Sequence, residues 1–222
     1  MKGKLIVIEG IDGSGKSTQL KMLQSAFKEK RLPFESLKFP QYKKTFFGKT
    51  IAQFLRGEIG DLRTINPYLI SMVYAMDRAE ARDQMYRWLN HGRTVLLDRY
   101  VSSNMAHQCG RLPKKTRGKF LRWIDELEYR INNVPREDIV IYLYMPYKVA
   151  QELMMNADRA EKDMVEDNTR YLKRSEETYL WLAKKYKHWT QIDCVDTEGN
   201  ILSRDAIHTE ILRVLQEKGM MK

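Results

Sequence analysis

The sequence predicts an α/β fold in which a five-stranded parallel sheet carries helices on both faces. Apolar runs of strand length alternate along the 222 residues with segments of helical periodicity. A glycine-rich loop stands directly between the first strand and the first helix, where phosphate-binding folds place it. Because neither a repeat nor an interdomain linker interrupts the alternation, we expect a single domain over residues 1–222.

The predicted strands are short strand-like runs, of which the first is rich in β-branched residues. Helical segments lie between them, and glycines and prolines mark the connections. The strands are expected at 5–8, 34–39, 94–97, 139–145 and 191–195, and the clearest helices at 18–27, 68–89 and 171–186.

The first connection, Gly10-x-x-x-x-Gly15-Lys16-Ser17, has the spacing of a phosphate-binding P-loop at 10–18. Its glycines let the backbone curl so that successive N–H groups and the helix N-terminus face an anion. Lys16 is then expected to reach the β- and γ-phosphates of a nucleotide, and the Ser17 hydroxyl to ligate Mg²⁺. The expected phosphate-binding set is Gly10, Gly13, Ser14, Gly15, Lys16, Ser17 and Thr18, with capping or packing the simpler use of Thr18.

Residues that follow the other strands are the next candidates, because ligands gather at the carboxyl ends of parallel strands. Asp98 directly follows the third strand, which places its carboxylate beside the P-loop as a Mg²⁺-associated acid. Arg99 is expected to face the reacting phosphates, although a structural ion pair at the strand end is the simpler alternative. For Asp77-Arg78, within the long helical segment, a solvated ion pair is the simpler interpretation.

Composition narrows the class of partner. Lysine and arginine number 39 against 29 aspartates and glutamates, a net charge of +10 that predicts a polyanionic partner. The cations are scattered rather than clustered with aromatic residues, which favours phosphorylated small molecules over nucleic acid. Cys109 and Cys194 lack the spacing of a disulfide framework or a zinc site. Without an apolar run of about 18 residues, we expect a cytoplasmic protein with no membrane partner.

These residues are similar to those of the thymidylate kinase family. The matching segments follow the family's order and spacing over about residues 4–190. An acidic residue inside the P-loop, Asp12, combined with Asp98-Arg99-Tyr100-x-x-Ser103, is fairly specific among nucleoside monophosphate kinases. The segments are 10–18, 39–40, 74–79, 98–104 and 135–138.

The resemblance implies a three-layer P-loop kinase fold with a short mobile lid at about 154–166. It implies transfer of the γ-phosphoryl group of ATP to dTMP with Mg²⁺, giving dTDP for dTTP synthesis, and a homodimer. The alternatives are a kinase of the same fold that acts on another nucleoside monophosphate or on a deoxynucleoside, and a nucleotide-dependent nucleic-acid-binding protein.

The resemblance also implies roles for individual residues. Asp12 would accept a hydrogen bond from the sugar 3′-hydroxyl, and Arg99 would bridge the acceptor phosphate to the donor. Tyr74 would stack on thymine, and Arg78 would donate to a thymine carbonyl. Glu9 matches a family acid that either acts on Mg²⁺ through water or ends the strand. The other substrate-binding candidates are Phe39, Pro40, Tyr42, Ser103, Asn104 and Gln108.

The chain departs from the family pattern at several positions. Gly13 and Ser14 stand where some thymidylate kinases carry a basic residue, so a lid arginine would have to neutralise the transition-state charge. Arg159 is the only arginine of the lid segment and is assigned this catalytic role, with Lys162 as the substitute and an exposed lid charge as the alternative. His107 stands where relatives place a tyrosine near the sugar; either it crowds a ribonucleotide or it is simply packed or solvated.

Overall fold

The computed structural model describes residues 3–60, 64–156 and 169–221 of the chain. Its centre is one parallel sheet, and each of the predicted strands is present with ends shifted by a few residues. The strands are β1 (Leu5–Glu9), β2 (Phe34–Lys38), β3 (Thr94–Asp98), β4 (Ile139–Tyr144) and β5 (Trp189–Asp193), in the spatial order β2-β3-β1-β4-β5.

The central strand β1 shows that both faces of the sheet are covered. Every residue of β1 is buried, although consecutive side chains of a strand point to opposite faces. Its neighbours are β3 on one side, with Leu5 beside Val95, and β4 on the other, with Ile6 beside Ile139. The strand order therefore reverses at β1, and in such sheets the ligand cleft opens at the carboxyl end of this switch point.

Helices connect the strands and cover the sheet. Residues Glu126–Ile131 form a π-helix that continues directly from the helix before it. The α-helices are α1 (Lys16–Glu29), α2 (Phe46–Leu55), α3 (Pro67–Glu80), α4 (Arg82–Asn90), α5 (Val101–Gly110), α6 (Lys114–Asp125), α7 (Tyr147–Asn156), α8 (Thr169–Lys185) and α9 (Arg204–Glu217). In the part of the chain that the structure describes, none of the helices has the length and apolarity needed to span a bilayer.

The predicted helix 68–89 is wrong as a single element, because α3 and α4 are separate helices. The break lies at Ala81, whose φ of −95° and ψ of −4° leave the helical range. Its N–H donates to the carbonyl of Arg78, three residues back, which tightens the last turn of α3. Beyond the break, α4 packs on β3 while α3 packs between α2 and α5. The apolar periodicity continues across the break because both helices face buried surfaces.

Candidate active site

The P-loop adopts a curled backbone that requires glycine. Gly13 has a φ of +83°, and a Cβ there would lie 2.6 Å from the carbonyl oxygen of Ala150 in α7. Gly10 has a φ of +152°, and a Cβ there would lie 2.8 Å from the carbonyl oxygen of Leu143. Larger side chains would therefore both strain the loop and clash with the backbone around it. Within the loop, Ser14 is buried and its hydroxyl has no hydrogen-bond partner among the described residues.

Lys16 lies across the loop. Its Nζ donates to the carbonyl oxygen of Ile11 at 2.7 Å and lies 3.6 Å from Oδ1 of Asp12. Burial, together with the positive charge of Arg99, lowers the pKa of Lys16 to about 8. The ammonium group is thus held where loop N–H groups and a helix N-terminus already favour an anion.

Ser17 and Asp98 meet at the carboxyl edge between β1 and β3. The Ser17 hydroxyl donates to Oδ2 of Asp98 at 3.0 Å, and Nζ of Lys38 lies 3.6 Å from the same oxygen. Oδ1 of Asp98 is buried and has no hydrogen-bond partner in the described part of the chain. A hydroxyl beside a carboxylate with one unsatisfied oxygen is a ligand set that fits Mg²⁺.

Glu9 uses both of its carboxylate oxygens for hydrogen bonds within the protein. Its fully buried carboxylate accepts hydrogen bonds from the backbone N–H of Tyr100 at 3.0 Å and from the hydroxyls of Ser102, Ser103 and Tyr179 at 2.7, 2.9 and 2.8 Å. Both oxygens are occupied, and three of these donors lie at the first turn of α5, where a negative charge is stabilising. Of the two interpretations of Glu9, these contacts are those of a residue that ends β1 and anchors α5 and α8, while action on Mg²⁺ through water stays a prediction.

Arg99 is aimed at the P-loop from the β3–α5 junction. Its φ of +68° is left-handed, a conformation that costs a non-glycine residue about 1–3 kcal/mol and is typical of functional sites. Its Nη2 donates to Asp12, while Nη1 donates to the Ser103 hydroxyl at 3.3 Å and to Nε2 of His107 at 3.1 Å. The structure thus brings Asp12, Lys16 and Arg99 together.

Asp12 is an acceptor held between two cations. Burial by itself would raise its pKa, but the charges of Arg99 and Lys16 outweigh burial and hold the pKa of Asp12 well below its usual range. The carboxylate is therefore ionised at neutral pH and able to accept a hydrogen bond from a hydroxyl group.

Arg78 and Asn104 share a buried acid that the sequence analysis missed. Arg78 is only 2% exposed, and its Nε and Nη2 both donate to Glu128 of the π-helix. The Asn104 amide nitrogen donates to the carbonyl oxygen of Ser71 at 3.0 Å and contacts Glu128 at 3.4 Å. Because both partners only accept, the amide must turn its nitrogen toward them. Its buried Oδ1 has no partner among the described residues.

The solvated ion pair predicted as the simpler interpretation of Asp77-Arg78 is wrong. Both residues are buried, and each has its own partner in the core. Asp77 accepts from the backbone N–H of Gln41 at 3.0 Å and from the Thr45 hydroxyl. It therefore anchors the loop that follows the cis Phe39–Pro40 peptide. Arg78 is bound to Glu128 as described above.

The remaining substrate candidates occupy mixed positions. Tyr74 is half-buried one turn before Arg78 on α3, and Phe39 is buried while Tyr42 is 37% exposed. Two candidates make hydrogen bonds within the protein. The Ser103 hydroxyl donates to Glu9, and the side-chain oxygen of Gln108 accepts from Arg111 at 2.8 Å. Arg159 and Lys162 lie outside the described residues, as does most of the predicted lid.

The sequence contains a pattern from which the burial of Glu128 could have been predicted. Phe120, Ile124 and Glu128 follow one another at four-residue spacing, and the first two are fully buried. An acid on an apolar helical stripe is expected to have a buried cationic partner, because an unpaired buried charge is costly. The partner itself, Arg78, lies fifty residues away and is not identifiable from spacing.

Comparisons with known proteins point to one family. The family model described as thymidylate kinase matches residues 8–204. A thymidylate kinase of Mycobacterium tuberculosis is 33% identical over 159 residues, which cover 72% of this chain and 73% of that protein. A probable thymidylate kinase of Thermococcus gammatolerans is 30% identical and covers 97% of both chains. The solved structure of thymidylate kinase from Candida albicans shares the fold, with a TM-score of 0.76 and 22% identity, covering 99% of this chain and 93% of that one.

Proposed function

Because the chain belongs to the thymidylate kinase family, we propose that it transfers the γ-phosphoryl group of ATP to dTMP, giving dTDP. The observation that carries the proposal is the meeting of Lys16, Asp12 and Arg99 at the carboxyl edge of β1 and β3. A phosphate-binding loop with a guanidinium beside it provides for two phosphorylated substrates at once. Phosphoryl transfer depends mainly on such positioning and on neutralising charge.

The residues divide between donor and acceptor. The P-loop N–H groups and Lys16 would bind the β- and γ-phosphates of ATP, and Arg99 would bind the phosphate of dTMP between them. Asp12 would accept a hydrogen bond from the sugar 3′-hydroxyl, a role supported by its ionised state. Both substrates would then be held by neighbouring groups, which favours an in-line arrangement of the reacting atoms.

Ser17 and Asp98 would hold Mg²⁺. The ion supplies positive charge that neutralises the phosphate oxygens during transfer. The unsatisfied Oδ1 of Asp98 and the adjacent Ser17 hydroxyl support this assignment. Arg159 of the lid would add the cation that Gly13 and Ser14 lack.

Base selectivity would come from Asn104. Its buried Oδ1 requires a donor, and thymine offers one at N3 while cytosine has an acceptor there. A buried acceptor left unpaired costs about 1–3 kcal/mol, so the pocket would discriminate against cytosine. Arg78, with N–H groups beyond those bound to Glu128, would donate to a thymine carbonyl, and Tyr74 would stack on the ring.

A panel of acceptors tests the proposal. The measurement is kcat/KM for dTMP, dUMP, UMP, dCMP, AMP and thymidine with saturating Mg·ATP. We expect dTMP to be the best acceptor and dCMP to be poorer by about 10- to 100-fold, because its N3 leaves the Asn104 carbonyl without a donor. A better acceptor than dTMP would redirect the assignment to another kinase of this fold.

We also propose a homodimer that buries one face of α3. Leu69, Met72 and Met76 follow one another along this face and are 60%, 44% and 38% exposed. Phe46 on α2 and Ile131 on the π-helix are 72% and 62% exposed, and both of their helices pack against α3. An apolar face of this kind marks an interaction site, and a second copy of the chain is the proposed occupant.

The dimer is testable by sedimentation. The double variant Leu69→Glu/Met72→Glu should sediment as a monomer, because each interface would then bury like charges against their own symmetry mates. Ile201→Glu is the control, since Ile201 is exposed but lies far along the chain from α3. A wild-type monomer at micromolar concentration, or a double variant that stays dimeric, would exclude this face as the interface.

A further inference from the structure

His107 lies beside Arg99, the arginine with the proposed catalytic role. Its Nε2 lies 3.1 Å from Nη1 of Arg99 and its Nδ1 lies 3.2 Å from the hydroxyl oxygen of Ser175, which is fully buried on α8. The imidazole ring stacks on Tyr171 at 5.7 Å and meets Tyr179 edge-on at 5.4 Å. Each ring nitrogen thus has its own partner, and the ring plane is fixed by aromatic neighbours.

The partners determine where the proton of His107 lies. A guanidinium has only donors, so Nε2 must accept from Arg99. Tyr179 also lies 3.3 Å from Nε2, but its one hydroxyl proton is donated to Glu9 at 2.8 Å. The ring is therefore neutral, with its proton on Nδ1 and donated to Ser175.

The surrounding charges agree with a neutral ring. Burial, and after it the positive charge of Arg99, lowers the pKa of His107 to about 3. The titratable or charged groups facing the ring are Asp12 and Lys16 of the P-loop, Arg99 of the β3–α5 junction, and Tyr171 and Tyr179 of α8.

A neutral acceptor has a specific advantage at this position. Arg99 already has one carboxylate partner, Asp12, and a second carboxylate at this position would add negative charge where the phosphate must bind. A neutral imidazole orients the guanidinium without adding any charge. With Asp12 on Nη2 and Ser103 and His107 on Nη1, both terminal nitrogens of Arg99 are held.

We propose that His107 is a positioning residue: as the Nδ1–H tautomer, it holds the Arg99 guanidinium in the orientation used for phosphoryl transfer. The proposal rests on the proposed role of Arg99 at the acceptor phosphate. It gives His107 a use that neither the packed nor the sugar-crowding interpretation of the sequence contained.

The tautomer can be measured without any substrate. The chain has four histidines, and a long-range proton–nitrogen NMR spectrum of the histidine-labelled protein reports which nitrogen of each ring carries the proton. The His107 signals are those lost in His107→Gln. We expect a protonated Nδ1 and a bare Nε2 that stay unchanged between about pH 5.5 and pH 8. A proton on Nε2, or an imidazolium in this range, would overturn the proposal.

Kinetics then test the positioning itself. His107→Leu removes the acceptor and should lower kcat with dTMP about 10-fold, since small misplacements of a catalytic group are costly. His107→Gln places an amide oxygen near the position of Nε2 and should recover most of that loss. KM for ATP should change little in either variant, because both variants leave the P-loop residues themselves unchanged.

Equal kcat values for the two variants would overturn the proposal, because a role in packing alone does not distinguish Gln from Leu by hydrogen bonding. Urea unfolding of both variants separates loss of stability from loss of orientation. If the wild-type chain failed to phosphorylate dTMP, the proposed function would fail, while the NMR result would still decide the hydrogen bond between His107 and Arg99.

Discussion

Replacing Lys16 with alanine should lower kcat about 1,000-fold or more, the largest effect expected from any single substitution in this chain. The Nζ group lies within the P-loop and is the cation closest to where the donor phosphates would bind. Charge that develops on the transferred phosphoryl group would lose its nearest neutralising partner. Steady-state turnover of dTMP with saturating Mg·ATP measures the effect.

Two controls separate this loss from unfolding. Lys21→Ala removes an exposed lysine from the same helix and should leave kcat within about 2-fold of wild type. The Lys16→Ala protein should keep its urea midpoint close to the wild-type value, since burial of an ammonium group contributes little net stability. A folded Lys16→Ala protein with kcat within about 10-fold of wild type would remove Lys16 from the mechanism.

Replacing Arg99 should have the second largest effect. Arg99→Ala is expected to lower kcat at least about 100-fold and to raise KM for dTMP, because the guanidinium would contact the acceptor phosphate before and during transfer. Arg87→Ala, at an exposed position of α4, is the matched arginine control. Unchanged turnover in Arg99→Ala would contradict the bridging role.

The left-handed backbone at Arg99 gives a stability measurement that is separate from catalysis. Arg99→Gly should be more stable than Arg99→Ala by about 1 kcal/mol, because only glycine adopts a φ of +68° without strain. Both variants should be equally inactive. If Arg99→Ala were the more stable of the two, the strain would have been misjudged.

Arg159 can be compared in the same turnover assay. Arg159→Ala should lower kcat far more than it weakens dTMP binding, since the proposed contact is made to charge that forms in the transition state. Lys162→Ala, which removes the substitute cation, is measured alongside, and the variant with the larger loss of kcat identifies the cation that acts. Normal turnover in Arg159→Ala would assign charge neutralisation to another cation.

Local patterns in the sequence were sufficient to predict the P-loop, the strands and the position of Asp98. The P-loop could be identified because its glycines, lysine and serine act at fixed spacing within one turn of chain. The three central strands were predictable because a sheet covered on both faces needs nearly continuous apolar runs, whereas the edge strands β2 and β5 also carry polar residues. The position of Asp98 at the carboxyl end of β3 followed from the rule that parallel strands present their carboxyl ends at one edge.

Other features depend on contacts between distant segments. The break at Ala81 follows from different packing partners on its two sides, which periodicity does not register. The hydrogen bonds of Glu9 could not be predicted because its donors include Tyr100 and Tyr179, which come from distant parts of the chain. The pairing of Arg78 with Glu128 could not be predicted either, because the two residues lie fifty positions apart in the chain.

His107 depends both on local sequence and on contacts between distant segments. Its residue type and its helix were evident from the chain, but the location of its proton follows only from which groups face Nδ1 and Nε2. The two groups are Arg99 of the β3–α5 junction and Ser175 of α8, which only the folded chain brings to the same ring. Spacing along the chain predicts groups that act within one turn or one strand, whereas hydrogen-bond direction between distant residues is decided by tertiary packing.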